Sequence, residues 1–154
     1  MLNWLQNSAP SLLLQRSGTV YLLINALHIG FLGTLVGSIT ALDLRLLGVF
    51  KTMPLPAMGT FLSRYAAVAL LLAIITGVLL FSVQPHDYSS NIAFRIKLAL
   101  IAAGIANALW LHGSRTWKHG LQQTPIPIRI RAHAAISLFI WPATLVAGRW
   151  IAFV

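Results

Sequence analysis

The chain has 154 residues, of which 58% are hydrophobic and only 8% are charged, and its mean hydropathy is +0.81. A soluble domain carries about 25% charged residues, so this composition excludes an ordinary soluble protein. Eleven basic and two acidic side chains give a net charge of +9. The basic residues flank the apolar stretches, where they set membrane topology, and we therefore do not expect binding to nucleic acid. The absence of cysteine excludes disulfides, thiolate metal sites and iron–sulfur clusters.

Four stretches without a charged residue predict four membrane-spanning helices, because a bilayer core requires roughly 20 predominantly apolar residues per helix. The stretches cover residues 17–42, 65–83, 98–114 and 132–148. The segment 1–16 precedes them and contains Trp4 and several leucines. This composition suits the headgroup region of a membrane, so we predict an interfacial segment there.

Proline and polar runs place the connections between the helices. Pro54 and Pro56 interrupt the chain after the first helix, and the run QPHDYSSN predicts a turn after the second. We place the helices at residues 17–46, 57–83, 92–117 and 128–153 of a single domain, 1–154. The predicted fold class is an all-α integral membrane protein. It is a four-helix transmembrane bundle in up-down-up-down order with an N-terminal interfacial segment.

The distribution of basic side chains predicts the orientation of the bundle. The side of the termini and the second connection holds Arg16, Arg95, Lys97 and Arg149, and the other side holds Arg45, Lys51, Arg64, Arg115, Lys118, Arg129 and Arg131. Cytoplasmic loops carry the excess of basic residues. We therefore expect both termini in the periplasm of a bacterial inner membrane. The same bases predict attraction to anionic lipid headgroups.

One face of the first helix is formed by small residues at helical spacing. They are Ala26, Gly30, Gly33, Gly37 and Ala41. Such a ridge lets another helix approach closely. It predicts packing, either inside the bundle or in a homo-oligomer or larger membrane complex.

Polar side chains form a column on another face of the first helix. Tyr21, Asn25 and His28 follow each other at spacings of four and three residues. Because polar groups in lipid are costly, we expect this column to face the bundle interior, joined by Arg149 near the same depth. The column is either an internal hydrogen-bond network or a ligand pocket. Asn107 in the third helix is a further candidate, as an interhelical hydrogen-bond partner.

Two histidines form a second constellation near the other membrane surface. His112 ends the third helix and His133 begins the fourth, so the two imidazoles should lie at similar depth. Facing histidines inside a bundle can act as the axial ligands of haem b. The alternative is a pair of interfacial histidines bonded to loop groups and water. A copper site lacks clustered soft ligands, and we assign no metal.

Acidic side chains are nearly absent, and none is predicted within the hydrocarbon. We expect Asp43, at the end of the first helix, to pair with Arg45, Arg64 or Arg115. The sequence contains no nucleophile–base pair, phosphate-binding loop or carboxylate dyad. We therefore expect no catalytic activity.

Several runs resemble an uncharacterised family of small bacterial four-helix inner-membrane proteins that end in a GRWIAF-like motif. The runs are ALHIGFLGTLVGSITALDLRLLG, TGVLLF, NIAFRIKLALIAAGIAN and ISLFIWPATLVAGRWIAF. The resemblance implies this fold and a bacterial membrane, but no established activity. The residues that match the family's motif positions are His28, Asp43, Arg45, Phe94, Lys97, Asn107, Trp141, Gly148 and Arg149. His133 matches none of them.

Two functional hypotheses follow from the sequence. The first is a non-enzymatic membrane subunit that binds a small ligand, a lipid or a partner. The alternative is a b-type haem electron-transfer protein with His112 and His133 as ligands. An absorption spectrum of the purified protein separates the two.

Overall fold

The computed structural model describes residues 2–49, 51–114, 117, 119, 121 and 125–153. The chain is 89% helical, with no strand in the described residues. The helices are α1 (Leu2–Gln6), α2 (Ala9–Arg16), α3 (Gly18–Leu47), α4 (Leu55–Val83), α5 (Pro85–Ser90), α6 (Ile92–Gly113) and α7 (Ile128–Trp150), and a 3₁₀ turn, Ile151–Phe153, follows α7. Four of them are long and apolar enough to cross a membrane, namely α3, α4, α6, and α7 with its 3₁₀ turn. The predicted four-helix transmembrane bundle is therefore confirmed.

The helix boundaries differ from the sequence-based placement mainly at prolines. α4 begins at Leu55 rather than 57, because Pro56 occupies its first turn, where the missing N–H costs no hydrogen bond. For the same reason Pro85 opens α5, so the predicted turn QPHDYSSN contains a short helix. α6 ends at Gly113, and Ser114 follows it as the C-cap. The predicted end at 117 falls among residues of which only some are described.

The four long helices pack as two hairpins. α3 packs along α4, α6 packs along α7, and the two hairpins meet through α3 and α7. By contrast, α4 and α6 do not pack along each other over their described lengths. An opening therefore runs between α4 and α6, with α3 and α7 behind it.

The outer surface of the bundle is apolar on every long helix. Large side chains that are mostly exposed include Leu22, Leu71, Trp110 and Phe139, the last two with exposed fractions of 77% and 75%. In water such a surface would aggregate, whereas in a bilayer it meets lipid tails. The exposure of these side chains therefore fits a multi-pass membrane protein.

The glycine ridge of α3 faces away from the bundle. A Cβ atom added at Gly30, Gly33 or Gly37 would find no atom within 4 Å among the described residues. These glycines therefore do not mediate packing inside the bundle. Their use in an interface between copies of the chain stays a prediction.

The N-terminal segment folds back onto the end of the bundle that carries both termini, here called the termini end. Ser11 is fully buried, and its hydroxyl donates a 2.8 Å hydrogen bond to the carbonyl of Ser82. His86 Nε2 and Asn3 Oδ1 lie 2.7 Å apart. These contacts hold α2 against α4 and α1 against α5. Trp4 remains exposed. The opposite end, which carries the first and third connections, is called the basic end.

Candidate functional site

A cavity of about 570 Å³ opens at the termini end of the bundle. We call it the polar cavity. Its polar and charged lining residues are Tyr21, Asn25, His28, Gln84, Asp87, Tyr88, Asn91, Lys97 and Arg149. Four of the five predicted pocket residues thus line one space, because three share a face of α3 and Arg149 lies on the last turn of α7. The fifth, Asn107, lies elsewhere.

His28 is held against α4. Its Nδ1 lies 2.9 Å from the Thr76 hydroxyl, and that hydroxyl donates to the carbonyl of Leu72. Nδ1 therefore donates to Thr76. The expected partners of His28 were Tyr21 or Asn25, and the observed partner is Thr76.

A glycine makes room for the imidazole. A Cβ at Gly77 would lie 3.1 Å from His28 Cε1, closer than almost all real contacts. Thr76 and Gly77 form the start of the run TGVLLF. This run is part of the family resemblance, but the sequence does not show that it contacts His28, because Thr76 lies 48 residues further along the chain.

Two cations face the polar cavity without an ion-pair partner. Lys97 is half-buried and lies against α7, where a Cβ at Gly148 would sit 3.4 Å from its Nζ. Arg149 is exposed, and its Cζ lies 5.3 Å from the centre of the Phe153 ring. Among the described residues neither cation forms a salt bridge, and Asp87 is the one carboxylate that lines the cavity. The cavity therefore carries excess positive charge.

Aromatic rings close one wall of the polar cavity. Phe81 of α4 and Phe94 of α6 stack with centroids 5.3 Å apart, and Tyr88 lies 5.7 Å from Phe94. Burial, followed by the neighbouring hydroxyl of Tyr21 and the charge of Asp87, raises the pKa of Tyr88. The Tyr88 phenol therefore stays protonated and neutral at pH 7.

A second space of about 350 Å³ continues from the polar cavity into the bundle. We call it the apolar cleft. Both spaces are lined by His28, Gly77, Phe81, Phe94 and Lys97. The remaining lining of the apolar cleft is almost entirely apolar and includes Leu35, Leu70, Ile101, Trp141 and Leu145. It occupies the opening between α4 and α6, so a polar compartment with two cations leads directly into a membrane-facing apolar one.

A third space of about 250 Å³ lies nearer the basic end. We call it the Asp43 cavity, and its polar lining consists of Asp43, Ser63, Asn107, His112, His133 and Ser137. Asn107 joins two helices here. Its Nδ2 donates to the His133 carbonyl at 3.1 Å, and its Oδ1 accepts from His133 Nδ1 at 2.6 Å. Asn107 is thus the interhelical partner expected from the sequence, although it is not part of the polar cavity.

The two histidines of the haem hypothesis line this same cavity, where both make hydrogen bonds within the bundle. His112 Nδ1 donates to the Ala108 carbonyl at 2.7 Å, and its Nε2 accepts from the Ser63 hydroxyl at 3.0 Å. In this arrangement the Ser63 hydroxyl occupies the Nε2 lone pair that an iron would use. The space is also smaller than the roughly 300–1,000 Å³ of typical sites for drug-sized ligands. Among the described residues no three His, Asp or Glu side chains cluster closely enough to hold a metal ion.

Asp43 does not form the ion pair expected from the sequence. The guanidinium of Arg45 instead donates to backbone carbonyls, at 2.8 Å to Met53 and 3.3 Å to Lys51. Arg64 makes no salt bridge among the described residues, and Arg115 lies outside them. The Asp43 side chain is 5% exposed and turns into the bundle, towards the hydroxyl of Ser137. The expectation failed because Asp43 lies on the inner face of α3, whereas the arginines were chosen from their depth along the helices.

The fold and these cavities define a multi-pass membrane protein with a four-helix bundle and ligand-sized spaces between its helices. The whole chain, residues 1–154, matches the model of the family described as "Family of unknown function (DUF6644)". The chain belongs to that family. No curated protein and no solved structure matches the chain.

Proposed function

We propose that this membrane protein binds an anionic amphiphile, a molecule with a phosphate or carboxylate head and an apolar chain. The head lies in the polar cavity, and the chain lies in the apolar cleft between α4 and α6. The observation that carries this proposal is the continuity of the two spaces through His28, Gly77, Phe81, Phe94 and Lys97. The role is that of a binding subunit without catalysis of its own.

The charge of the polar cavity supports an anionic head. Lys97 and Arg149 lack a carboxylate partner in the described residues, and a charge near hydrocarbon is costly unless a counter-charge or water meets it. A phosphate or carboxylate supplies a counter-charge near both and accepts hydrogen bonds from them. The phenols of Tyr21 and Tyr88 and the amide of Asn25 add uncharged donors.

The position of the apolar cleft supports entry from the membrane. α4 and α6 form its two walls and do not pack along each other in the described part of the chain. Ile74, Val78 and Leu98 line the cleft and are 44%, 53% and 50% exposed, so they stand where lipid would meet it. A chain can therefore move sideways into the cleft without crossing the polar cavity.

The proposal includes an orientation and a location. The seven-to-four distribution of bases supports a basic end in the cytoplasm and a termini end in the periplasm of a bacterial inner membrane. The polar cavity would then receive ligands from the periplasmic leaflet. Contacts of the bases with anionic headgroups, and self-association through the outward glycine ridge of α3, belong to the same proposal.

Native mass spectrometry of the purified protein tests the proposal with three probes. One molecule of phosphatidylglycerol should stay bound to the protein, with an affinity about tenfold higher than that of phosphatidylcholine with the same chains. The reason is that charge-assisted hydrogen bonds contribute ~1.5–3 kcal/mol. Glycerol phosphate, the head without chains, should not be retained. Lys97→Met and Arg149→Met should each remove the preference, and Arg16→Met, which deletes an exposed cation at the same end, should keep it. Equal binding of both lipids, or loss of preference with Arg16→Met, would refute the proposal.

A further inference from the structure

Asp43 is a buried carboxylate with one oxygen left unbonded. Its side chain is 5% exposed, and Oδ2 has no hydrogen-bond partner among the described residues. Ser137, itself buried, lines the same cavity as Asp43. A buried charged or polar oxygen without a donor costs several kcal/mol (roughly 2–7). A buried carboxylate oxygen of this kind is expected where another molecule supplies the missing hydrogen bond.

The Asp43 cavity supplies space beside this oxygen, and among the described residues no side chain of its lining hydrogen-bonds Oδ2. The Asn107 amide is used by the His133 carbonyl, and His112 Nδ1 is used by the Ala108 carbonyl. His133 Nδ1 is likewise used, by Asn107. No lysine or arginine lines the cavity among the described residues. A molecule that enters the cavity can supply the missing donor.

The rest of the cavity indicates the body of that molecule. Its walls are mostly aliphatic and aromatic, with Leu35, Leu42, Leu46, Trp117 and Trp141 among them. Indole faces also attract cations. The complement of a carboxylate in an apolar chamber of about 250 Å³ is a small apolar molecule with a single positively charged N–H donor.

We infer that the Asp43 cavity is a second binding site, which takes a small protonated amine whose N–H group bonds Asp43 Oδ2 and whose apolar body packs between α4, α6 and the two indoles. This site goes beyond the proposed function. It prefers a cation, whereas the polar cavity prefers an anion, and it has its own carboxylate. The two sites can therefore be disabled independently.

The test is a titration of the purified full-length protein in uncharged detergent, followed by calorimetry and by tryptophan fluorescence. The probes are n-hexylammonium and 1-hexanol, which share a chain and differ in charge. We expect n-hexylammonium to bind saturably and at least about tenfold tighter than hexanol, because a buried carboxylate discriminates strongly between a charged and a neutral partner.

Two matched variants assign the binding. The chain has two acidic residues, Asp43 and Asp87. Asp43→Asn keeps the shape of the side chain and should weaken amine binding at least about tenfold. Asp87→Asn removes the same charge from the opposite end of the bundle and should leave amine binding unchanged. Circular dichroism checks that Asp43→Asn is folded, and if it is not, the comparison of the two probes on the native chain decides alone.

Several outcomes would overturn the inference. Equal affinities for n-hexylammonium and hexanol would mean that the cavity selects shape rather than charge. Absence of saturable amine binding would mean that only water donates a hydrogen bond to Asp43 Oδ2. Equal amine affinities of folded Asp43→Asn and the native chain would place the amine elsewhere. Loss of phosphatidylglycerol preference in the polar cavity has no bearing on any of these results.

Discussion

The hydrogen bonds between Asn107 and His133 allow a quantitative test of how α6 and α7 are joined. Asn107→Leu keeps much of the side-chain volume and removes both bonds, the 3.1 Å bond to the His133 carbonyl and the 2.6 Å bond to its ring. His133→Leu removes only the ring bond, because the carbonyl stays. Interhelical hydrogen bonds in a membrane protein contribute ~0.6 kcal/mol on average and ~1.7 kcal/mol at most. We therefore expect Asn107→Leu to lower the free energy of unfolding by about 1–3 kcal/mol.

The double-mutant cycle of these two variants isolates the ring bond. Its coupling energy should lie at about 0.6–1.7 kcal/mol, measured by titrating the folded protein in mixed micelles with sodium dodecyl sulfate and following circular dichroism. Asn25→Leu is the control, since Asn25 is exposed and has no hydrogen bond among the described residues, and it should change stability by less than about 0.5 kcal/mol. A coupling energy near zero, or an Asn107→Leu variant as stable as the native chain, would show that packing alone joins α6 and α7.

Two further predictions concern topology and close packing. Alkaline phosphatase fused after Val154 should be active in bacterial cells and green fluorescent protein should be dark there, whereas the reverse pattern would overturn the proposed orientation but not the bundle. Gly104→Leu should destabilise the protein by ~1–3 kcal/mol or more, because even a Cβ at Gly104 would lie 3.0 Å from Trp141 Cζ2. Gly30→Leu should fold as the native chain does, because a Cβ at Gly30 would find no atom within 4 Å among the described residues. Equal losses of stability in the two variants would argue against the tight contact of α6 with Trp141.

The four-helix fold was predictable because it depends on a one-dimensional property, the length of apolar stretches without charge. The column Tyr21, Asn25 and His28 was predictable for a related reason, since spacing within one helix fixes which residues share a face. The structure adds the partners of that column, which come from other helices. Thr76 and Lys97 could not be assigned to it, because their helices are apolar on nearly every side and no amphipathic pattern shows which way a residue faces.

The two misplaced expectations have the same origin. Asn107 was grouped with the polar column and Asp43 with surface arginines, on the basis of depth along the helix. Depth alone does not say which neighbour a side chain meets. Asn107 faces His133 on α7. Asp43 faces Ser137, which also lies on α7. Both residues therefore line the Asp43 cavity near the basic end. Rotation of each helix about its axis decides such contacts, and the hydrophobic pattern of these helices leaves that rotation undetermined.

The arrangement of charges inside this bundle supports the two proposed binding sites. Lys97 on α6 and Asp43 on α3 have opposite signs, and a buried ion pair between them would remove the cost of exposing each alone to hydrocarbon. The fold instead keeps them in separate spaces, with Lys97 beside Gly148 at the termini end and Asp43 beside Ser137 nearer the basic end. Leu35, Leu70 and Trp141 line both the apolar cleft and the Asp43 cavity, so an apolar region separates the two charges. If stability were the only requirement, apolar residues could stand at both positions. Replacing a buried ion pair by apolar residues is often neutral or favourable for the stability of the fold. Two single charges, each beside an open space, support the proposal of two binding sites of opposite preference.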